Sequence, residues 1–399
     1  MDTIETMISA GKENCCGCGT CVLACPVNAI QMTSQELGSL YPKIDQSICI
    51  SCGKCLKACA LHHRTTKEYI VQEAFAAAAE DQTLLKRSAS GGVFASVAAA
   101  VLEQDGVVFG CSLELKDGLL TPMHICVTER NDLTKLQGSK YAQSDLGESF
   151  LQAKQFLEQG RTVLFSGTPC QIDSLNRFLK GIDTTGLYTV DIVCHGVPSG
   201  KLFQEYLVMF RNPVVDFSFR DKTRGWGLNG RYTCTDGRRE QKKLLPPSLS
   251  SYYSYFLQAE TYRESCYSCR YANMDRVGDI TIGDYWGFEQ EHPELLKENG
   301  GPYDVSCGIS GILVNSQKGK LLLQQFGHGL ICSPSSPDRM ARWNRQLHSP
   351  SVCSEKRKEI TEAYRQHGYH GIEALFRRQL GLRWYVRKVK QLLRDLKWE

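Results

Sequence analysis

The sequence is short of three things, and each shortage narrows the field. It has no excess charge of one sign: 47 Lys and Arg stand against 43 Asp and Glu, for a net +4. Phosphate backbones are bound by concentrated basic faces, so nucleic acid is not an expected partner. It has no long apolar run: nothing approaches the roughly 18 to 20 residues that span a bilayer, and the Ala/Val-rich stretch Val93 to Leu102 reads as a buried helix. It also has no export signal at the start, because MDTIETMISAGKEN offers neither a basic n-region nor an apolar h-region. A reducing, cytoplasmic setting is therefore expected. With 399 residues, 42% hydrophobic and 23% charged, the chain is long enough for two or three folded units.

What the sequence has in abundance is cysteine, nineteen of them, and in a reducing compartment they are not expected to pair as disulfides. Cys15, Cys18, Cys21 and Cys25 follow CxxCxxCxxxC with Pro26 next, and Cys49, Cys52, Cys55 and Cys59 repeat the spacing 34 residues later. Three thiolates on one tight loop reach three irons of a cubane, and the fourth, on the following helical turn, points to the other cluster. Cys15, Cys18, Cys21 and Cys59 are thus expected to hold one [4Fe-4S] cluster, and Cys49, Cys52, Cys55 and Cys25 a second. Gly17, Gly19 and Gly53 supply the permissive backbone that such loops need. Zinc, the alternative occupant, takes four ligands in two pairs and explains eight cysteines in this pattern poorly. Cys16 has no role in the spacing and reads as a bystander.

Past His62, His63 and Arg64, a polar stretch to Glu68 reads as a linker. Ser88, Ser90, Gly91 and Gly92 then stand just ahead of the apolar helix, where they serve either as an ordinary cap or as a phosphate-binding helix N-terminus. From Leu146 a helix to about Leu157, a strand Thr162 to Phe165, the loop SGTPC, a helix Gln171 to Leu179, a strand Leu187 to Val193, the loop CHGVPS and a helix from Lys201 follow in turn. Strand, loop and helix repeated in this way mean parallel strands with crossovers, and such sheets carry their chemistry on the loops at the carboxyl ends of strands. Thr168 before Pro169, and Ser199 after Pro198, provide caps. Cys170 and Cys194 fall on two of these loops. With the CxxC pair Cys266 and Cys269 they make four thiols from three loops, readable as a third cluster or as separate buried cysteines. Cys111, Cys126, Cys234, Cys307, Cys332 and Cys353 have no partner spacing and read as structural.

Three turns, Gly138 to Ser144, Phe219 to Gly227 and Asp279 to Gly287, mix cations, carboxylates and aromatics. Lys140, Lys222 and Arg224 offer charge there, and Trp226 and Trp286 offer stacking faces, either to a planar ligand or to solvent and core. From Phe376 onward eight Lys or Arg face two acids, with Leu382, Val386, Val389, Leu393 and Leu396 at helical spacing. This basic amphipathic helix docks on a partner or an anionic membrane surface, or lies solvated on the protein's own body, which is the commoner arrangement.

The order of segments, double CxxCxxCxxxC, RSASGGVFA, GSKYAQS, SGTPCQI, DIVCHGVPS, FRDKTRGWG and CYSCRYANMDRVGDITIGDYWG, resembles the beta-subunit family of coenzyme F420 hydrogenases and dehydrogenases from about residue 1 to residue 330. The resemblance implies an α+β or α/β architecture: a 2[4Fe-4S] ferredoxin-like domain over 1–65, then a flavin-binding domain with mixed sheet in two parts, 70–150 and 151–330. Residues 331–399, outside the family pattern, are expected to form a helical basic tail. It further implies FAD, cluster ligation by Cys170, Cys194, Cys266 and Cys269, and flavin contacts from Ser90, Gly91, Gly92, Gly138, Ser139, Lys140 and Tyr141, with Lys222 and Trp226 as further candidates. Relatives use the deazaflavin coenzyme F420 or reduce other small substrates, so the scaffold fixes the redox machinery and not the substrate. Ferredoxin is the expected external carrier. Two functions stay open: an enzyme transferring hydride between FAD and a small molecule, with His195 as a candidate general acid, and a non-catalytic relay that hands electrons to a partner.

Overall fold

The computed structural model describes residues 3–62 and 73–395, with side chains through residue 391; His63, Arg64 and the linker to Glu68 lie outside the described residues. In the N-terminal unit, strands β1 (Ile30–Ser34) and β2 (Leu40–Ile44) form an antiparallel hairpin in the register Ile30 to Ile44. Each cysteine loop runs into a short helix, Thr20–Leu23 and Lys54–Ala58, and each helix starts from a glycine in the left-handed region, Gly19 at φ 74° and Gly53 at φ 68°. A side chain at either position would be strained, which is the physical reason for glycine at the two equivalent points of the repeat. The unit is too small for a broad apolar core. Ile4, Ile8, Ile30, Tyr41, Ile44 and Leu56 pack instead against Cys15, Cys21, Cys25, Cys49, Cys55 and Cys59.

The body is built on one mixed sheet. Its strands are β3 (Glu73–Ala79), β4 (Val107–Lys116), β5 (Leu119–Val127), β6 (Val163–Gly167) and β7 (Leu187–Ile192). A smaller antiparallel sheet comprises β8 (Val214–Ser218), β9 (Gly230–Thr235) and β10 (Glu240–Leu245), after which β11 (Ile280–Asp284), β12 (Ser310–Val314) and β13 (Leu330–Ser335) return to the main one. The eight main strands lie in the order β13-β3-β12-β11-β7-β6-β4-β5. The central run β11, β7, β6 and β4 is parallel, as the strand-loop-helix alternation requires, and the flanking pairs are antiparallel. Hydrophobic on both faces, the central strands are covered on one side by Val93–Glu103 and Gln317–Phe326 and on the other by Ser149–Glu158 and Pro169–Phe178. Small residues let the first of these helices sit close, and nine of its eleven side chains are buried.

The expectation of a tail from residue 331 needs correction. β13 completes the edge of the sheet against β3, Met340 is fully buried, and the helix Lys356–Leu380 buries Ile360, Tyr369, Ile372, Leu375 and Phe376 in an aromatic core with Phe203, Phe217, Phe219 and Tyr252. The last helix, Leu382–Asp395, lies against this body through Trp384 and Gln391 and leaves Leu382, Tyr385, Val386 and Val389 exposed.

The two units are joined through arginines. Arg177 donates from Nε to the Lys57 carbonyl at 3.0 Å, Arg270 donates to the Leu61 carbonyl, and Arg263 donates to the carbonyls of Cys15 (2.6 Å) and Leu40 (2.7 Å). Each such bond contributes about 1 kcal/mol net, and more where it is buried and charged.

Candidate functional site

The carboxyl ends of β4, β6, β7 and β11 open on a cavity of about 310 Å³, the position at which open α/β sheets bind their ligands. Its walls come from every motif region that the sequence marks out. Ser166, Gly167, Thr168 and Cys170 follow β6; Ile192 to Val197, with Cys194 and His195, follow β7; Asp284 and Trp286 end β11. The turn Ser88–Phe94 and the segment Gln137–Ser144 close the opposite side. Thr168 caps Pro169–Phe178 in a reciprocal capping box with Gln171, and Ser199 accepts from Leu202 N at 3.0 Å, so both loops end in firmly set helices.

The cysteines fall into groups. Cys21 faces Cys18, Cys15 and Cys59, and Cys59 faces Cys18 and Cys15. Cys25, Cys49, Cys52 and Cys55 line a separate small cavity. Cys194, Cys266 and Cys269 face one another, while Cys170 stands against Cys16. Among the described residues no three Cys, His, Asp or Glu side chains close on a single ion; a cubane spreads its four thiolates over four irons. Several of these sulfurs already receive backbone N–H groups. Gly17 N lies 3.4 Å from Cys15 Sγ and Ala29 N 3.2 Å from Cys25 Sγ, and Gly196, Val197 and Tyr271 serve Cys194, Cys266 and Cys269. Burial pushes the Cys59 and Cys266 thiols up to about 11. Such sites favour a neutral thiol or a metal-bound thiolate over a free charge.

Cys16 is not the bystander its spacing suggests. It contacts both Cys18 and Cys170 and lines the cavity. Its loop is held by Gln143, whose Nε2 donates to the Cys16 carbonyl at 2.8 Å, and by Arg263, whose Nη2 lies 3.3 Å from Cys15 Sγ. Arg263 is 1% exposed, immediately precedes the helix that carries Cys266, and accepts no side chain opposite: a Cβ on Gly17, at φ 68°, would come within 2.5 Å of its Nη1. No sequence pattern pointed to Arg263.

The other expected ligand contacts divide. Ser90, Gly92, Gly138, Ser139, Lys140 and Tyr141 line the cavity; Gly91, Lys222 and Trp226 do not. Gly91 turns its Cα against the backbone of β3 and β12, 2.6 Å from Ser310 N by the place a Cβ would take. Lys222 spends its ammonium on the carbonyls of Leu85, Ser90 and Cys307 (2.9, 2.6 and 2.6 Å), and Trp226 donates to Ala89 O at 3.1 Å. These two hold the Ser88–Gly92 turn from behind. Lys140, half-buried and bonded to the carbonyls of Lys135 and Gln137, is lowered to about 8 by desolvation. Tyr141 stacks on Phe256 at 4.3 Å.

Arg220 and Asp284, unmarked in the sequence beyond their turns, form a buried ion pair on the cavity wall. The guanidinium lies over Trp226 and Trp286, which stack on each other at 4.7 Å. Arg220 Nη2 and Gln137 Oε1 are buried without a partner among the described residues. One spare donor and one spare acceptor in a concave, largely apolar wall are what a polar ligand would satisfy. His195 also lines the wall, with Asp284 and Arg220 as its charged neighbours.

His124, on β5, anchors the floor. Its Nε2 sits 2.9 Å from the Ser166 carbonyl, which can only accept, so that nitrogen carries the proton and Nδ1 accepts from Ser144 Oγ at 2.8 Å. Desolvation lowers it from its ordinary 6.5 to about 4. The unfolded chain therefore takes a proton first as pH falls. Stability is intact above about 6.5 and is lost as pH drops toward 4, by about 3 kcal/mol in all. His124→Gln is expected to remove this part of the acid slope when urea unfolding is compared at about pH 7 and about pH 5; an unchanged slope would contradict it.

With the geometry in place, comparison with known proteins is informative. Residues 14–62 match the 4Fe-4S dicluster domain, 74–150 the N-terminal part of the coenzyme F420 hydrogenase/dehydrogenase beta subunit, and 160–333 its C-terminal part. One component of the Na(+)-translocating ferredoxin:NAD(+) oxidoreductase complex of Acetobacterium woodii is 42% identical over 64 residues, 15% of this chain and 18% of that protein. The chain thus spans under a fifth of that relative's length. A chain of the F420-reducing [NiFe] hydrogenase complex from Methanosarcina barkeri superposes with a TM-score of 0.45 at 16% identity, over 74% of this chain and 94% of that one. The chain belongs to the coenzyme F420 hydrogenase/dehydrogenase beta-subunit family and carries an N-terminal 4Fe-4S dicluster domain, which makes it an iron–sulfur electron-transfer protein of oxidoreductase type.

Proposed function

We propose that this protein is an FAD-containing iron–sulfur oxidoreductase that exchanges electrons with a carrier such as ferredoxin and transfers hydride to or from a small substrate or a deazaflavin coenzyme. The observation that carries the reading is the shared cavity. Cys16, Cys170 and Cys194 line the same concave space as the Ser88–Phe94 turn and the Gly138–Tyr141 segment. The residues fit a flavin: a helix N-terminus for phosphate, an apolar wall, and the spare N–H of Arg220 for a ring oxygen or a substrate carboxylate. FAD bound there would supply the exchange between one-electron and two-electron chemistry.

In this reading Cys15, Cys18, Cys21 and Cys59 hold the cluster nearer the body, and Cys49, Cys52, Cys55 and Cys25 the outer one, with Cys52 exposed. Cys170, Cys194, Cys266 and Cys269 hold the third. Asp284 fixes the Arg220 fork, and the two tryptophans hold its plane, so the free Nη2 arrives without reorganisation.

The test is a paired variant. Arg220→Gln with Asp284→Asn removes the charge pair together and leaves no buried charge unpaired. Flavin affinity or substrate KM is expected to worsen by roughly 10- to 100-fold, the value of a charged hydrogen bond, with iron content unchanged. Unaltered flavin affinity and KM would remove Arg220 from the site.

A further inference from the structure

The helix Leu382–Asp395 packs in the opposite sense to an ordinary surface helix. The residues it turns to the body are Trp384, which meets the Arg377 guanidinium at 4.9 Å, Arg387, which donates to the Ser248 carbonyl at 3.3 Å, and Gln391, which is 7% exposed. Its apolar side chains point the other way: Leu382 is 82% exposed, Tyr385 64%, Val386 54% and Val389 54%. At about 100° per residue these four form one stripe, diametrically opposite Gln391. The helix thus lies on the protein's own body through Trp384, Arg387 and Gln391, and its apolar face has no cover among the described residues.

The flanks of the stripe say what covers it. Arg383 and Lys390 run along one side and Lys388 along the other, all exposed, and 382–395 holds five Lys or Arg against one acid. Long cationic side chains on both shoulders of an aliphatic stripe, with a tyrosine at its edge, suit a surface that is apolar in the middle and negative at the rim. A second copy does not fit, because pairing two such stripes brings like charges together on both shoulders. No helix among the described residues is long and apolar enough to cross a membrane, so the helix would lie in the interface plane.

We propose that the helix Leu382–Asp395 docks this protein on an anionic phospholipid surface through Leu382, Tyr385, Val386 and Val389, with Arg383, Lys388 and Lys390 on the lipid headgroups. The test uses the full-length, cluster-loaded protein sedimented with vesicles of phosphatidylglycerol and phosphatidylcholine in equal parts, and with vesicles of phosphatidylcholine alone. Partition into the anionic vesicles is expected to be at least about tenfold stronger, and to weaken as salt rises. Val386→Asp with Val389→Asp, at exposed positions that leave the fold intact, is expected to abolish it without loss of iron. Equal partition into both vesicle types, or binding retained by the double variant, overturns the proposal. So does a double variant that changes only the oligomeric state, which would make the face a protein interface.

Discussion

Arg263→Gln is expected to lower the reduction potential of the cluster we assign to Cys15, Cys18, Cys21 and Cys59 by roughly 60 to 130 mV, leaving the other ferredoxin-like cluster where it was. The guanidinium is fully buried, donates from Nη2 toward Cys15 Sγ at 3.3 Å, and holds the Cys15 and Leu40 carbonyls. Reduction adds negative charge at the sulfurs, so a cation and a hydrogen bond there favour the reduced state. A charged hydrogen bond is worth about 1.5–3 kcal/mol, and about 59 mV corresponds to a tenfold change for one electron, which gives the range. Because the same side chain ties the Cys15 and Leu40 carbonyls of the ferredoxin-like unit to the body, the variant also loosens that unit from the body. Protease sensitivity between the two units is expected to rise. Arg263→Lys keeps the charge but not the fork, and should recover part of the potential. Redox titration followed by electron paramagnetic resonance decides it: equal potentials in wild type and Arg263→Gln would show that the contact does not tune the cluster.

Cys266→Ser with Cys269→Ser is expected to cost four irons per chain and to leave the eight of the dicluster domain in place, at four irons per cubane. The two thiols sit with Cys194 at the ends of two loops, and each of the three is approached by a backbone N–H. The fourth position is less symmetric, since Cys170 stands against Cys16 rather than within the trio. Cys170→Ser is expected to share the loss and Cys16→Ser to spare it; the reverse outcome would hand the fourth position to Cys16. Unchanged iron in the Cys266/Cys269 variant would leave that group as buried thiols.

The parts that were legible in the sequence are those written in short spacings. Two quartets separated by a fixed offset, glycines at equivalent points, and helices opening on Thr168 and Ser199 all follow from contacts within a few residues, and the parallel run of β6 and β7 follows from their alternation with helices. What was hidden depends on distance along the chain. Cys16 meets Cys170, Ser90 meets Ile309, and β3 is inserted between β12 and β13, none of which a local pattern encodes. Isolated arginines such as Arg220 and Arg263 carry no period, so their burial beside Asp284 and Cys15 had no signal in advance. The last helix shows the limit from the other direction: its spacing announced an apolar stripe, but spacing is silent on which way a stripe faces.

Lys222 and Trp226 make a related point. Both lie in a turn rich enough to resemble ligand contacts, yet both are consumed in holding the backbone of the Ser88–Gly92 turn. Residue type marked the neighbourhood correctly, and hydrogen-bond partners decided the role.

The most direct test of the central claim, that clusters and a flavin share one body, is quantification of iron, sulfide and flavin in the anaerobically purified full-length protein. The account predicts about twelve irons and one flavin per chain, at four irons per cubane. About eight irons with no flavin retained after reconstitution would contradict it, and would leave a dicluster relay that hands its electrons to a partner.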